Sequence, residues 1–310
     1  MASLSGSKVI NRRDQQSFWI WKKALEQRTG VRITPDREQA LINLLNRRLQ
    51  KLQYDDIKQY FAHSLDDFKG AEEWSWLLDN LLIKETRFFR HQPSLDYVAR
   101  WVAQLIKARK SQQPLWIWSL GCSSGEEAYS LAITVRQTIE KQNKPFKFGI
   151  LATDISAEAI SKARLGVYPR RQLQAVDVGL REKYFDQIGP DSFRVNAGLR
   201  THICFLTSNI LEQKNPLVGP KIDLIFCQNL LVYFRRWQRR EIVNQLVAEM
   251  PDEGRMILGL GELGAWMPPQ LTRAVPGTVQ AYCKNTSANN QVSVASAADM
   301  QAIDSAMRRC

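Results

Sequence analysis

One stretch, Ser119-Leu-Gly-Cys-Ser-Ser-Gly-Glu-Glu-Ala-Tyr-Ser-Leu-Ala132, constrains the fold of this chain more than any other. The apolar run Leu115 to Leu120 enters a glycine-rich turn, and Glu126 to Arg136 then reads as a helix. Strand, tight turn and helix N-terminus in that order form the cradle in which an α/β sheet holds a nucleotide-like ligand. The turn has neither GxGxxG nor the Gly-Lys-Ser/Thr of a phosphate loop, which disfavours pyrophosphate and triphosphate. An acidic residue opening the helix repels phosphate, yet its oxygens accept hydrogen bonds from a cationic, phosphate-free ligand. S-adenosylmethionine fits that description.

The periodicity around this stretch sets the fold class. Strand-like runs at 115–120, 147–153, 203–206, 222–227 and 255–260 alternate with helical runs at 126–141, 157–165 and 236–249. Such alternation predicts an α/β domain, a mostly parallel Rossmann-like sheet with helices on both faces. Between Tyr168 and Cys204 the pattern shortens, with turns at Gly189-Pro190-Asp191 and Asn196-Ala197-Gly198, and predicts a small inserted β-subdomain. Residues 1–110 read as helical. Thr34-Pro35-Asp36 starts a helix with proline at its first position, and Leu41, Ile42, Leu45, Leu49 and Leu52 form its apolar stripe. The polar segment Lys107–Pro114 marks the expected boundary. The expected domains are therefore 1–110 (helical), 111–284 (α/β, with the insertion at about 168–204) and a flexible tail at 285–310.

Charge adds a partner argument. The 310 residues carry a formal net charge of +12, which suits nucleic acid, an anionic membrane face or an acidic protein. On the helix after Pro35, Arg37, Arg47, Arg48 and Lys51 gather within an arc of about 100° beside the apolar stripe. Two readings stand: a solvated face, or a docking surface for an acidic partner. No apolar run approaches a membrane span, and the N-terminus lacks the uncharged core of a signal peptide, so a cytoplasmic protein without membrane insertion is expected. Five widely spaced cysteines without a CxxC pair, and three scattered histidines, predict neither a disulfide framework nor a metal site.

Three further places could carry chemistry. Asp154 closes the second strand, where a Rossmann-like sheet holds ribose hydroxyls. Gln228 and Asn229 end the fourth strand, at the ligand-facing edge of a parallel sheet. The segment Thr86-Arg87-Phe88-Phe89-Arg90 cannot put all its side chains on one buried face. Either its aromatics pack in the core with the arginines exposed, or it forms a lid that lays Arg90 over a carboxylate.

Five motifs occur in one order and spacing: Thr86-x-Phe-Phe-Arg90, Ser123-Ser-Gly-Glu-Glu-x-Tyr-Ser130, Ala152-Thr-Asp-Ile155, Ser208-Asn-Ile-Leu211 and Phe226-Cys-x-Asn-x-x-x-Tyr-Phe234. Together they resemble the CheR-type methyltransferases, which methylate glutamates on bacterial chemoreceptors; the resemblance covers about residues 18–284. It implies S-adenosylmethionine as cofactor, held by Lys84, Thr86, Arg90, Glu126, Asp154, Asn209, Ile210, Gln228 and Asn229. It also implies that Arg90 and Tyr233 border the transferred methyl, and that the helix bearing Arg37, Arg47, Arg48 and Lys51 docks the helical signalling domain of a membrane chemoreceptor. A monomer is the family-like expectation. Gln228-Asn-Leu-Leu-Val-Tyr-Phe and Gly259-Leu-Gly-Glu-Leu263 further resemble the branch serving type IV pilus (twitching) systems, often called PilK.

Three departures stand out. Lys84 replaces an asparagine common in the family, and Gln228 replaces an arginine. The turn Ile188-Gly-Pro-Asp-Ser-Phe193 is shorter than in members that grip a receptor's C-terminal peptide, which predicts docking without that tether. A non-catalytic adaptor descended from such an enzyme is the rival reading, favoured by Lys84 and Gln228 and opposed by Arg90, Glu126, Asp154 and Tyr233. A nucleic-acid amino-methyltransferase would carry Asp/Asn-Pro-Pro-aromatic after the fourth strand. Gln228-Asn-Leu-Leu stands there instead, so no nucleic-acid partner is expected.

Overall fold

Five parallel strands form the centre of the fold: β1 (Leu115–Leu120), β2 (Phe148–Asp154), β6 (Ile203–Thr207), β7 (Leu224–Cys227) and β8 (Arg255–Leu258). With β9 (Leu271–Arg273) and β10 (Gln280–Lys284) they make a seven-stranded sheet of order β6-β2-β1-β7-β8-β10-β9. β10 is antiparallel to both β8 and β9. The chain runs outward from β1 through β2 to β6, then returns to pair β7 on the other side of β1. That reversal creates a crevice outside the carboxyl ends of β1 and β7, where doubly wound sheets bind ligands. Every residue of β1 is buried, as expected for a central parallel strand covered on both faces. The computed structural model describes residues 15–64, 69–81, 85–109, 113–212 and 221–285.

The chain divides into two compact units, Met1–Ile83 with Tyr233–Arg235, and Lys84–Val232 with Arg236–Cys310. The division falls well before residue 110. Helix α5 (Gln92–Ala108) presents Leu95, Val98, Trp101, Val102, Leu105 and Ile106 as buried residues and joins the core of the second unit, alongside Tyr129 and Ile133 of α6 (Glu126–Gln142). The polar stretch at 107–114 begins within the end of α5 and is not where the two units divide. The expected tail lies outside the described residues after Asn285.

In the second unit, α7 (Ala157–Leu165) follows β2 and α10 (Arg236–Glu249) precedes β8. The insertion is a three-stranded antiparallel sheet of order β3-β5-β4, built from β3 (Val167–Pro169), β4 (Phe185–Gly189) and β5 (Ser192–Val195), with α8 (Val178–Tyr184) before β4 and α9 (Ala197–Arg200) after β5. Gly189 pairs Ser192 across a turn of two residues, Pro190-Asp191. The antiparallel β9 and β10 are not predicted from the sequence, because both are short and neither carries an apolar alternation.

The first unit holds α1 (Gln15–Thr29), α2 (Pro35–Leu52), α3 (Ile57–Ser64) and α4 (Lys69–Leu81). Trp21 is fully buried at its centre, stacked on Tyr60 with 5.0 Å between ring centroids and met edge-on by Phe61. Helix α2 buries Leu41, Leu45 and Leu49 of the predicted stripe together with Leu44, which lay outside it, while Ile42 and Leu52 are half-buried. The basic face of α2 is smaller than predicted. Arg47 and Lys51 are exposed, but the Arg48 guanidinium makes two bonds to the buried Glu73 carboxylate, which also accepts the Tyr60 hydroxyl at 2.9 Å. Arg48 also lies over the Trp76 ring. The helical wheel could not show this, since the acid comes from α4.

Candidate active site

The turn after β1 is shaped by backbone that only certain residues tolerate. Ser123 and Gly125 have φ of 49° and 98°. A Cβ at Gly125 would stand 2.9 Å from Ala163 Cβ and 3.0 Å from the Tyr168 hydroxyl, so glycine is required twice over, by conformation and by space. The turn is tied to β2: the N–H groups of Gly121 and Cys122 donate to Thr153 O at 2.8 and 3.0 Å. The Ser123 N–H donates to Asp154 Oδ2 at 2.8 Å, and the Ser156 N–H to Oδ1 at 2.9 Å. Asp154 is thus fixed at the end of its strand by backbone donors. A carboxylate offers about four acceptor positions, so this anchoring is compatible with holding a diol.

The two glutamates that open α6 differ in environment. Glu126 is completely buried. Its Oε2 accepts the Ser124 hydroxyl at 2.8 Å, its Oε1 has no partner, and burial pushes its pKa up. Glu127 is only partly covered and accepts the Ser119 hydroxyl at 2.7 Å. Burial raises its pKa to about 8, aided by the charges of Glu262 and Asp154 and opposed by Ser119 and Arg90. Glu127 therefore lies within electrostatic reach of Arg90, Asp154 and Glu262, while Glu126 keeps one unpartnered oxygen in the turn. The sequence reading named Glu126; adjacent helical residues point about 100° apart, so Glu127 faces different surroundings.

Arg90 reaches the crevice from a strained turn. Phe89 has φ of 51°, an uncommon conformation for a bulky residue, and its N–H donates at 2.9 Å to the Ser130 hydroxyl, which itself donates to Glu126 O. Phe88 is fully buried, edge-on to Tyr168 and Phe185 at 4.9 and 5.4 Å. Arg90 is exposed and donates to Glu85 O at 3.0 Å. The structure matches the first alternative raised for this segment: Phe88 belongs to the core, and the turn it anchors leaves Arg87 and Arg90 exposed. Thr86 is half-buried nearby in sequence, and Lys84 lies outside the described residues.

Two loops complete the crevice edge. After β7, Asn229 is exposed with φ of 60°, a conformation asparagine tolerates better than most residues. The side chain of Gln228 donates to Ser94 Oγ at 3.0 Å and to Leu258 O at 3.4 Å, and Ser94 Oγ also meets His91 Nδ1 at 2.8 Å. Gln228 therefore links α5 to β8. The buried Glu262 clasps the loops after β7 and β8, accepting N–H bonds from Leu230, Leu231 and Gly259. A Cβ at Gly259 would approach this carboxylate to 2.9 Å, which explains the Gly-x-Gly-Glu spacing. Asn209 folds onto its own turn, accepting from Leu211 N–H and donating to Glu212, with Ile210 half-buried beside it. Tyr233 belongs to the first unit: its carbonyl accepts the Arg32 N–H at 2.8 Å, and the Arg37 guanidinium lies 5.1 Å from its ring centroid.

Comparison with known proteins matches this arrangement to a family. Residues 16–82 fit the CheR methyltransferase all-alpha domain, and residues 84–278 fit the CheR methyltransferase SAM binding domain. The chain belongs to the CheR methyltransferase family. Among relatives, the chemotaxis protein methyltransferase 2 of Pseudomonas aeruginosa is 31% identical over 254 residues, covering 80% of this chain and 86% of its own length. The chemotaxis protein methyltransferase of Borreliella burgdorferi is 28% identical, covering 75% and 83%. That of Escherichia coli is 29% identical, covering 76% and 80%.

CheR membership makes S-adenosylmethionine the cofactor, and the residues present fit it. Ser123 Oγ and Glu126 Oε1 are buried at the turn without protein partners, which leaves polar capacity where a cofactor binds. No phosphate-binding glycine loop or lysine competes for the site.

Proposed function

We propose that this methyltransferase acts on glutamate side-chain carboxylates in the cytoplasmic helical signalling domain of bacterial chemoreceptors, setting adaptation in a chemotaxis or twitching-motility pathway. The observation that carries the reading is the convergence of Asp154, Glu127 and the projecting Arg90 at the sheet's carboxyl edge, within a chain of the CheR family. Asp154 holds the cofactor's ribose, and Glu127 its ammonium. Thr86, Asn209, Ile210 and Asn229 line the remainder, with Glu126 and Gln228 supporting the turn and the edge from beneath.

The bound sulfonium supplies an activated methyl group and leaves as S-adenosylhomocysteine. The chain's own residues need only orient and desolvate. A glutamate carboxylate, with a pKa of about 4.3, is already ionised at neutral pH, so no general base is needed. Arg90 draws the acceptor carboxylate into line. Orientation of this kind is worth several kcal/mol, roughly 7–11 in the best cases. The exposed Arg47 and Lys51 of α2 meet the acidic face of the receptor helices.

The test is transfer of labelled methyl from S-adenosylmethionine to membranes containing the host's chemoreceptors. Base-labile label on a receptor band, at least 100-fold slower with Arg90→Ala, is the expected result, a ratio that corresponds to about 2.7 kcal/mol. Cofactor binding without any transfer to a full set of receptors would favour the adaptor reading instead.

A further inference from the structure

The loops clasped by Glu262 carry an apolar surface that the methyl-transfer site does not use. Leu260, between Gly259 and Gly261, is 77% exposed, and Trp237 in the first turn of α10 is 58% exposed. Val232 and Met267 are exposed as well. These residues are fastened together. Arg239 donates to Val232 O and Glu262 O, tying α10 to both loops, and the Arg240 guanidinium lies over the Trp266 ring at 5.4 Å. Glu262 itself holds the backbone of Leu230, Leu231 and Gly259. The surface is therefore a built rim beside Asn229, at the carboxyl ends of β7 and β8. Exposed apolar side chains gathered on elements tied together in this way, with polar neighbours, mark an interaction site, and tryptophan with arginine is the composition of binding hot spots.

Charge identifies the occupant. The segment Arg235-Arg-Trp-Gln-Arg-Arg240 places arginines in the first turn of α10 with no acid among them. Positive charge there opposes the helix dipole, so it does not serve the helix itself. Arg236 and Arg240 are exposed and flank Trp237 along the helix. An apolar stripe bordered by cations complements an amphipathic helix with an apolar ridge and acidic flanks.

We infer that this rim, formed by Trp237, Leu260, Val232 and Met267 with Arg236 and Arg240, docks the acidic amphipathic helix that carries the acceptor glutamate. The inference rests on the proposed receptor substrate and adds a second grip on it, on the catalytic unit itself. The rim lies on the same unit as Arg90 and uses none of the residues assigned to the cofactor.

The experiment measures binding of a purified chemoreceptor signalling-domain fragment to the full chain by fluorescence anisotropy, with methyl transfer to the same fragment followed separately. The variants are Arg236→Glu, Trp237→Ala and, on the other loop, Leu260→Asp. Each should weaken fragment binding or raise its KM at least tenfold, with kcat at saturating fragment and S-adenosylmethionine affinity unchanged. Retained cofactor affinity reports an intact fold. Patch-dependent binding of a fragment that is never methylated would support the rim and sink the proposed reaction. Methylation with wild-type KM in all three variants would overturn the rim and leave the reaction standing. Absence of both binding and transfer in the wild type would overturn both.

Discussion

Glu127 makes the cofactor site pH-dependent in a direction that can be worked out in advance. Its pKa near 8 means that about nine-tenths of the molecules carry a protonated Glu127 at pH 7. Pairing with the cofactor's ammonium requires the ionised form, so binding at pH 7 expels a proton. Below the pKa, apparent affinity then rises with pH. For a pKa of about 8 the dissociation constant should fall about ninefold between pH 6 and pH 7. The unliganded protein behaves oppositely. The folded pKa lies above the reference carboxylate value of 4.5, so the folded state binds the extra proton between the two values, and stability falls as pH rises through that window. Calorimetric titration in buffers of different ionisation enthalpy measures both the slope and the proton released. The groups facing Glu127 that carry charge are Arg90, Asp154 and Glu262, and Ser119 donates to it. Glu127→Gln should flatten the profile from pH 6 to 7 and abolish proton release, whereas Glu126→Gln should retain both. A slope that persists in Glu127→Gln, or moves with Glu126, would refute the assignment of the ammonium to Glu127.

Other consequences are structural. Gly125→Ala forces a side chain onto a backbone with φ of 98° and against Ala163 and Tyr168; it should cost about 2 kcal/mol or more in chemical denaturation and eliminate cofactor binding. Arg109 pairs with the buried Asp223, which also accepts the Trp116 N–H at 2.8 Å. Arg109→Ala should destabilise by about 3 kcal/mol at pH 7. Burial already pushes the Asp223 pKa up against the pull of Arg109, so this deficit should shrink as pH falls and the orphaned carboxylate protonates. The tight β4–β5 turn, with Gly189 facing Ser192, predicts no saturable binding of a receptor C-terminal peptide by calorimetry; clear saturation would restore the tether.

Most of the α/β framework was legible because burial follows period. The helices over 157–165 and 236–249 and the strand over 115–120 match the structure to the residue. Legibility failed where a partner comes from elsewhere in the chain. The Leu-rich stripe of α2 was visible, but the withdrawal of Arg48 from its basic face depends on Glu73, which lies 25 residues away on another helix. Glu262 was noted within a motif, yet its task of joining two loops needs the strand order β7-β8. The boundary near residue 110 failed for the same reason. Local polarity suggested a boundary, while the apolar face of α5 belonged to the core of the unit that follows.

The two glutamates of α6 show where a motif's information ends. Glu-Glu at a helix start states that two carboxylates enter the turn region and favour the positive end of the dipole. It does not state which one meets the ligand, since that depends on the rotation of α6 about its axis. Two serines settle the rotation. Ser124, within the turn, holds Glu126 inward, and Ser119, at the end of β1, holds Glu127 at the crevice. The rotation is further locked by Ser130, one turn along α6, which receives the strained Phe89 N–H. The same helix face that aims Glu127 therefore also places the turn that projects Arg90. Under the proposed roles, one packing decision sets both charges, so a change at Ser130 should disturb cofactor binding and methyl transfer together even though it touches neither ligand.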